Sequence, residues 1–342
     1  MTTHGAERKD RRQGQEDGQD SRGRDVRTRV TVLVALGANL LIAAAKAVAG
    51  LVAGSPALLS EAAHSVADSL NEVFLLVAVR RSKRPPDDLH PFGYGKERYF
   101  WALLAAVGIF VMGGCFSVYQ GVQALRTDQH ESMTGYVAGL AVLGIALVAE
   151  GASLVRALYQ ARGQEDGTGG DPALRTVIAE DATAVAGVLL AAAGVGLHLL
   201  TGQAAWEAGA SMGIGLLLVC VAYRLAREAR NRLIGEAVDT RLRDRIGDFL
   251  ASQPEIDKVA ALLTMRLGLD SLLVAARVDL TPGLDSEVVE LVCVRIKRRI
   301  AAEWPQADHV FLDITEAPGR EEDAPSPAVT ARASGGHPRS GA

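Results

Sequence analysis

Residues 57–79 read ALLSEAAHSVADSLNEVFLLVAV, an apolar run broken by Glu61, His64, Asp68, Asn71 and Glu72. The run slightly exceeds the roughly 20 residues that carry a helix across a bilayer. An ionisable side chain inside such a helix costs about 2.5–3.5 kcal/mol on insertion scales, so each one needs a reason. At spacings i, i+3, i+7, i+10 and i+11, these polar residues share about 100° of helix circumference. Leu58, Ala63, Val66, Leu70 and Phe74 cover the remainder. The pattern is a polar seam turned toward protein or water.

Five further segments have the length and apolarity of spans, at about Val30–Ala53, Tyr99–Leu125, Gly135–Leu158, Leu174–Leu200 and Ala208–Tyr223. The chain therefore reads as a polytopic α-helical membrane protein with six transmembrane helices. Basic residues collect in alternate connections. The amino end carries Arg8, Lys9, Arg11, Arg12, Arg22, Arg24, Arg27 and Arg29, and the loop after the second span carries Arg80, Arg81, Lys83, Arg84, Lys96 and Arg98. Arg162 and Arg175 follow the fourth span, and Arg224, Arg227, Arg230 and Arg232 follow the sixth. The intervening connections, near 54–56, 127–134 and 201–205, hold no Lys or Arg. Positive loops stay cytosolic, so both termini are expected in the cytosol of a multi-pass protein of the cytoplasmic membrane.

Composition narrows the class. Net charge is −4 and the pI about 6.0, which argues against a nucleic-acid partner because that surface must be basic. Cys115, Cys220 and Cys293 form no C-x-x-C pair, so neither a disulfide framework nor a thiolate metal site is indicated, and they read as core residues. No Walker-type loop, H-E-x-x-H string or nucleophile–base pair is present, and the chain is not expected to be an enzyme or to carry a resident cofactor. The segments 1–28 and 318–342 are polar and of loose composition, and read as disordered tails. Between them, 29–225 is assigned to the membrane unit and 226–317 to a soluble one.

The soluble block has its own logic. A helix is expected near Asp239–Ser252, then strands at Ile256–Leu267 and Leu272–Leu280 joined by a turn at Gly268–Ser271. Leu272, Val274, Ala276, Val278 and Leu280 alternate as in a half-buried strand. Asp285 or Ser286 caps a helix with the stripe Val289, Val292, Cys293, Ile296 and Ile300, which stops before Pro305. His309–Thr315 supplies a last strand. The order α-β-β-α-β suits helices packed on one face of a small sheet.

Two readings of the seam remain open. His64 and Asp68, four apart, stand one turn above the other and can share a ligand. Imidazole nitrogen plus carboxylate oxygen suits Zn²⁺, and also Mn²⁺, Fe²⁺ or Co²⁺. Alternatively the polar groups pair with neighbouring helices as interhelical glue. In the fifth span the adjacent Glu180 and Asp181 form a second candidate half-site, since two neighbouring carboxylates in an apolar helix call for a cation. Asn39 and Lys46, seven apart on the first span, read as structural, because a charged Lys has no lone pair to offer. Glu150 stands between packing partner and auxiliary ligand, and Glu207 is a further acid within a span.

The residues quoted so far, with Asn39–Lys46, Gly50, Ser55–Leu59 and above all His90–Pro91–Phe92–Gly93–Tyr94–Gly95–Lys96–Glu97–Arg98–Tyr99, resemble the cation diffusion facilitator family. The resemblance extends from about Val30 to Glu316. It implies a ferredoxin-like tail domain, a homodimer, and a four-ligand metal site between the second and fifth spans. It also implies export of a divalent cation, zinc first, from the cytosol against inward proton flow, with lipid, metal ion and protons as the partners. The family's fifth-span pattern, His-x-x-x-Asp before a glycine, aligns Asp181 with the Asp and Val177 with the His. The expected metal set is then His64, Asp68, Asp181 and Glu180, with Glu150 or water in reserve. Losing a nitrogen donor makes this set oxygen-rich and brings Mn²⁺, Fe²⁺ and Co²⁺ into contention. It also motivates a rival, a transport-inactive membrane scaffold or regulator that keeps the fold. His309 is the sole histidine of the tail block, too sparse for a metal cluster, and His90 reads as a turn residue before Pro91.

Overall fold

The computed structural model describes residues 36–126, 133–162 and 172–315, the side chains of 162 and 172–177 excepted. The tails assigned at 1–28 and 318–342, and the start of the first span at Val30, lie outside the described residues. Two compact units divide at Ile234/Gly235.

The first unit contains six helices long and apolar enough to cross a membrane, among the described residues: α1 Leu36–Ala53, α2 Pro56–Ser82, α3 Glu97–Ala124, α4 Met133–Arg162, α5 Pro172–Thr201 and α6 Ala205–Leu233. They match the six expected spans, but the ends differ instructively. The hydropathy reading stops the last span at Tyr223, whereas α6 continues to Leu233 through Arg224, Arg227 and Arg230. Hydropathy marks where lipid ends, not where the backbone ladder ends, and Arg is a good helix former.

Helix α2 begins cleanly because Ser55 is its N-cap: the hydroxyl accepts from Leu58 N at 3.3 Å, and Pro56 occupies the first turn where no amide donor is needed. The cap fixes the phase of the seam that follows. The shared core is built from small and branched residues, among them Ala57, Leu58, Ala146, Val188, Ala191, Ile214 and Leu218.

In α3 the backbone widens to a π-helical segment over Ile109–Cys115, which nothing in the apolar pattern announces. Here α3 lies so close to α6 that a Cβ on Gly113 would sit 2.7 Å from Leu218 Cδ1. Cys115 and Cys220 are exposed on the bundle surface and Cys293 is half-buried, which corrects their reading as core residues. An apolar run in a membrane helix faces lipid as readily as it faces protein.

The second unit is α7 Thr240–Ala251, β1 Ile256–Arg266, β2 Leu272–Leu280, α8 Ser286–Glu303 and β3 His309–Ile314. The sheet order is β1-β2-β3, with β1/β2 antiparallel and β2/β3 parallel, a ferredoxin-like α-β-β-α-β layer. Asp285 caps α8, accepting from Val288 N at 2.9 Å. The alternation in β2 puts Leu272, Val274, Ala276 and Val278 inside. Val274, Ala276 and Val278 meet Ile246 and Leu250 of α7 and Val292, Ile296 and Ile300 of α8.

Candidate metal-transport site

The seam of α2 divides into a buried half and a cavity half. Glu61 and His64 are almost fully buried, whereas the Asp68 side chain keeps 42% of its surface. Asp68, Asn71 and Glu72 line a cavity of about 370 Å³, completed by Glu150 and Ser153 of α4, Glu180 and Asp181 of α5, and Asn39 of α1. Three of the four expected metal residues (Asp68, Glu180 and Asp181) therefore share one wall-lined space.

His64 sits one turn deeper, with Nδ1 3.5 Å from Asp68 Oδ2. Neither ring nitrogen has a hydrogen-bond partner among the described residues. A buried imidazole left so is costly unless something else fills the role. On α5, Asp181 Oδ2 accepts from Ser153 Oγ at 2.8 Å and Glu180 Oε1 accepts from Asn71 Nδ2 at 3.4 Å. Among the described residues no three His, Cys, Asp or Glu side chains are close enough together to hold a metal ion as they stand. The arrangement is an open, carboxylate-lined cavity rather than a closed coordination sphere. Val177 falls in α5 among the residues whose side chains lie outside the description.

The rest of the seam is held by α1. Lys46 Nζ donates to Glu61 Oε2 at 3.0 Å, to Ser65 Oγ at 2.9 Å and to Glu150 Oε1 at 3.3 Å. Asn39 Nδ2 donates to Glu72 Oε1 at 2.7 Å. Lys46 and Asn39 thus donate hydrogen bonds to acids, as their chemistry suggested, and each takes one acid of the seam. The signal was present: residues seven apart on one helix met acids eleven apart on the next, running the opposite way, as antiparallel neighbours require. What the pattern did not reveal is that Glu150 answers to both Lys46 and the cavity. Ser153 was missed altogether, since a lone serine in an apolar helix carries no distinguishing signal.

A second buried polar cluster ties the helices together where α2 and α6 begin. Glu207 accepts a short hydrogen bond from Ser55 Oγ, and His198 Nδ1 of α5 lies 3.7 Å from Glu207 Oε1. Ser60 and Ser211 hydroxyls meet at 2.5 Å, and Ser211 Oγ donates to the Ser117 carbonyl.

In the loop between α2 and α3, the motif string is organised around Asp87. Its carboxylate accepts from Tyr94 Oη at 2.6 Å and from the Leu89 and His90 amides. These donors hold the Asp87 carboxyl below its usual range, the Tyr94 bond contributing most, and the same bond to the Asp87 carboxylate pushes the Tyr94 phenol up. Gly93 completes the turn at φ +77°, a conformation that favours glycine.

With this geometry in hand, comparison with known proteins is direct. Residues 32–234 match the cation efflux transmembrane domain. The chain is 31% identical over 288 residues to the proton-coupled zinc antiporter SLC30A9, mitochondrial, of Xenopus laevis, covering 80% of this chain and 51% of that protein. It is 33% identical over 265 residues to metal tolerance protein C4 of Arabidopsis thaliana, covering 75% and 58%. It is 30% identical over 299 residues to the magnetosome protein MamM of Paramagnetospirillum magneticum, covering 83% and 87%. The chain spans about half the length of the first two of these relatives. A matched domain of six apolar helices, an acid-lined cavity between α2 and α5 and a ferredoxin-like tail all agree: the chain is a multi-pass membrane protein of the cation diffusion facilitator family.

Proposed function

We propose that this protein is a secondary active transporter that exports a divalent cation from the cytosol in exchange for protons, with Zn²⁺ the foremost cargo. The observation that carries the reading is the convergence of Asp68 from α2 with Glu180 and Asp181 from α5 on one cavity, above the buried His64. Carboxylates in a membrane span are costly without a cation, and the space between the two helices is where one can lodge. Helices rocking around a mid-membrane site would expose it first to one side and then to the other. Metal binding takes a neutral imidazole and ionised carboxylates, so loading releases protons and protonation expels the ion. His64 is the candidate exchanger because its imidazole stands one turn from Asp68 and can hold either a proton or the ion.

The naming of one relative as a proton-coupled zinc antiporter supports zinc and proton coupling. The oxygen-rich donor set favours a second reading, the same machine working on Mn²⁺, Fe²⁺ or Co²⁺. The metal is cargo in either case, and no resident cofactor is called for. The basic loops support a place in the cytoplasmic membrane with both termini cytosolic, and the family likeness supports a homodimer.

The deciding experiment is flux into proteoliposomes under an imposed pH gradient, with Zn²⁺, Mn²⁺, Fe²⁺ and Co²⁺ in competition. Asp68→Ala and Asp181→Asn should each abolish saturable transport. Wild-type flux in Asp68→Ala would remove the proposed site. Absence of saturable flux in the unaltered protein would leave the scaffold reading standing.

A further inference from the structure

Lys46 is fully buried, an uncommon place for an ammonium, and is enclosed by groups from two other helices. It binds Glu61 and Ser65 of α2 and Glu150 of α4. Two of those three, Ser65 and Glu150, also line the cavity, so the ammonium stands directly behind its wall. Along the same seam, several polar atoms are left over. Among the described residues Glu61 Oε1 and Glu150 Oε2 are buried without a hydrogen-bond partner, as are both nitrogens of His64. Glu150 is therefore divided, with one oxygen on Lys46 and the other uncommitted at a cavity wall.

Two consequences follow from this arrangement. Glu150 is held by Lys46 at the cavity wall, with its second oxygen uncommitted. The ammonium also sets a permanent positive charge near any cation lodged there, and in low dielectric that repulsion is felt through the wall. We propose that Lys46 is a positioning residue of the transport site, orienting Glu150 toward the ion while its charge lowers the cavity's affinity enough for a divalent cation to leave. The inference rests on the cavity between α2 and α5 being the transport site. It adds that the site is tuned by a resident cation that never leaves.

The test uses the full chain, purified in detergent for Zn²⁺ binding and reconstituted in phosphatidylethanolamine–phosphatidylglycerol vesicles for Zn²⁺ flux. Lys46→Met should tighten Zn²⁺ binding about tenfold, the lifted repulsion outweighing the lost anchor of Glu150, and lower the KM for flux while also lowering kcat, because release becomes slow. Lys46→Met/Glu61→Gln, which rebalances the charge, should return Kd and kcat most of the way to the parent values. A purely structural lysine would lose folded protein and kcat without tightening Kd, and that result overturns the proposal.

Should Lys46→Met fail to fold, Glu150→Gln decides. This change spares the Lys46–Glu61 pair and should weaken Zn²⁺ binding about tenfold by removing the carboxylate offered to the ion. A parental Kd in Glu150→Gln overturns the proposal whatever the Lys46 variants do. Asp68→Ala run alongside separates the two levels. Parental binding and flux in that variant sink the cavity as the site, while a dead Asp68→Ala beside an unmoved Kd in the Lys46 and Glu150 variants sinks only the role of Lys46.

Discussion

Lys46 Nζ and Glu61 Oε2 meet at 3.0 Å with both side chains fully buried, so α1 and α2 are joined by an ion pair shut off from water. Burying the two charges is expensive, and their attraction repays it only while both are present. Removing Lys46 strands Glu61, and removing Glu61 leaves the buried ammonium only Ser65 and Glu150. Glu61→Ala should therefore lower stability by about 3–5 kcal/mol, and Lys46→Met/Glu61→Gln should recover most of that loss. Thermal unfolding in detergent, followed for both variants, checks the pattern. Equal losses in the single and the double variant would contradict it.

Gly187 of α5 lies against Glu61 and His64 of α2. A Cβ there would collide with Glu61 Oε1 and stand 3.6 Å from His64 Cδ2. Gly187→Ala should displace the Glu61 carboxylate and cost about 1–3 kcal/mol, the usual range for overpacking. Flux should fall together with the melting temperature. The same change at Gly144, where a Cβ meets nothing within 4 Å, should leave both near their starting values.

Val177 precedes Asp181 by one helical turn in α5. Val177→His supplies an imidazole where the site otherwise offers mainly oxygen. Zn²⁺ should gain over Mn²⁺ by about tenfold in competition, since nitrogen ligation favours the later metal. Side-by-side flux of the two ions measures the ratio, and an unchanged ratio would separate residue 177 from the site.

Asp87 gives a pH dependence with a definite sign. Its folded-state carboxyl lies below the usual range because Tyr94 and two backbone amides donate to it. A lowered folded value means the contribution is present above the unfolded value, about 3.9, and is lost as pH falls through the folded one. Tyr94→Phe removes the largest donor, so loop ordering should fail at a higher pH than in the parent. Limited proteolysis between residues 83 and 96, scanned downward from pH 6, reads the shift. As the group is exposed, the effect is confined to the loop.

Much of the architecture was legible because it depends on local composition. Hydropathy counts spans, since lipid tolerates no unpaired backbone, and period-2 alternation locates β2, since one sheet face must be covered. His64, Asp68, Glu180 and Asp181 were likewise visible as groups that lipid alone would not accept. Cys115 and Cys220 were misread for the same reason in reverse: an apolar helix does not declare which side faces protein.

What only the tertiary structure decided is how the seam is shared. Glu61 and Glu72 look like Asp68 in the sequence, yet α1 takes the first with Lys46 and the second with Asn39. Asp68 alone of the three faces the cavity without such a tie to α1 and beside the acids of α5. That division depends on which helix lies against which face. Such neighbours are brought together by packing between residues distant in the chain, and no local period records them.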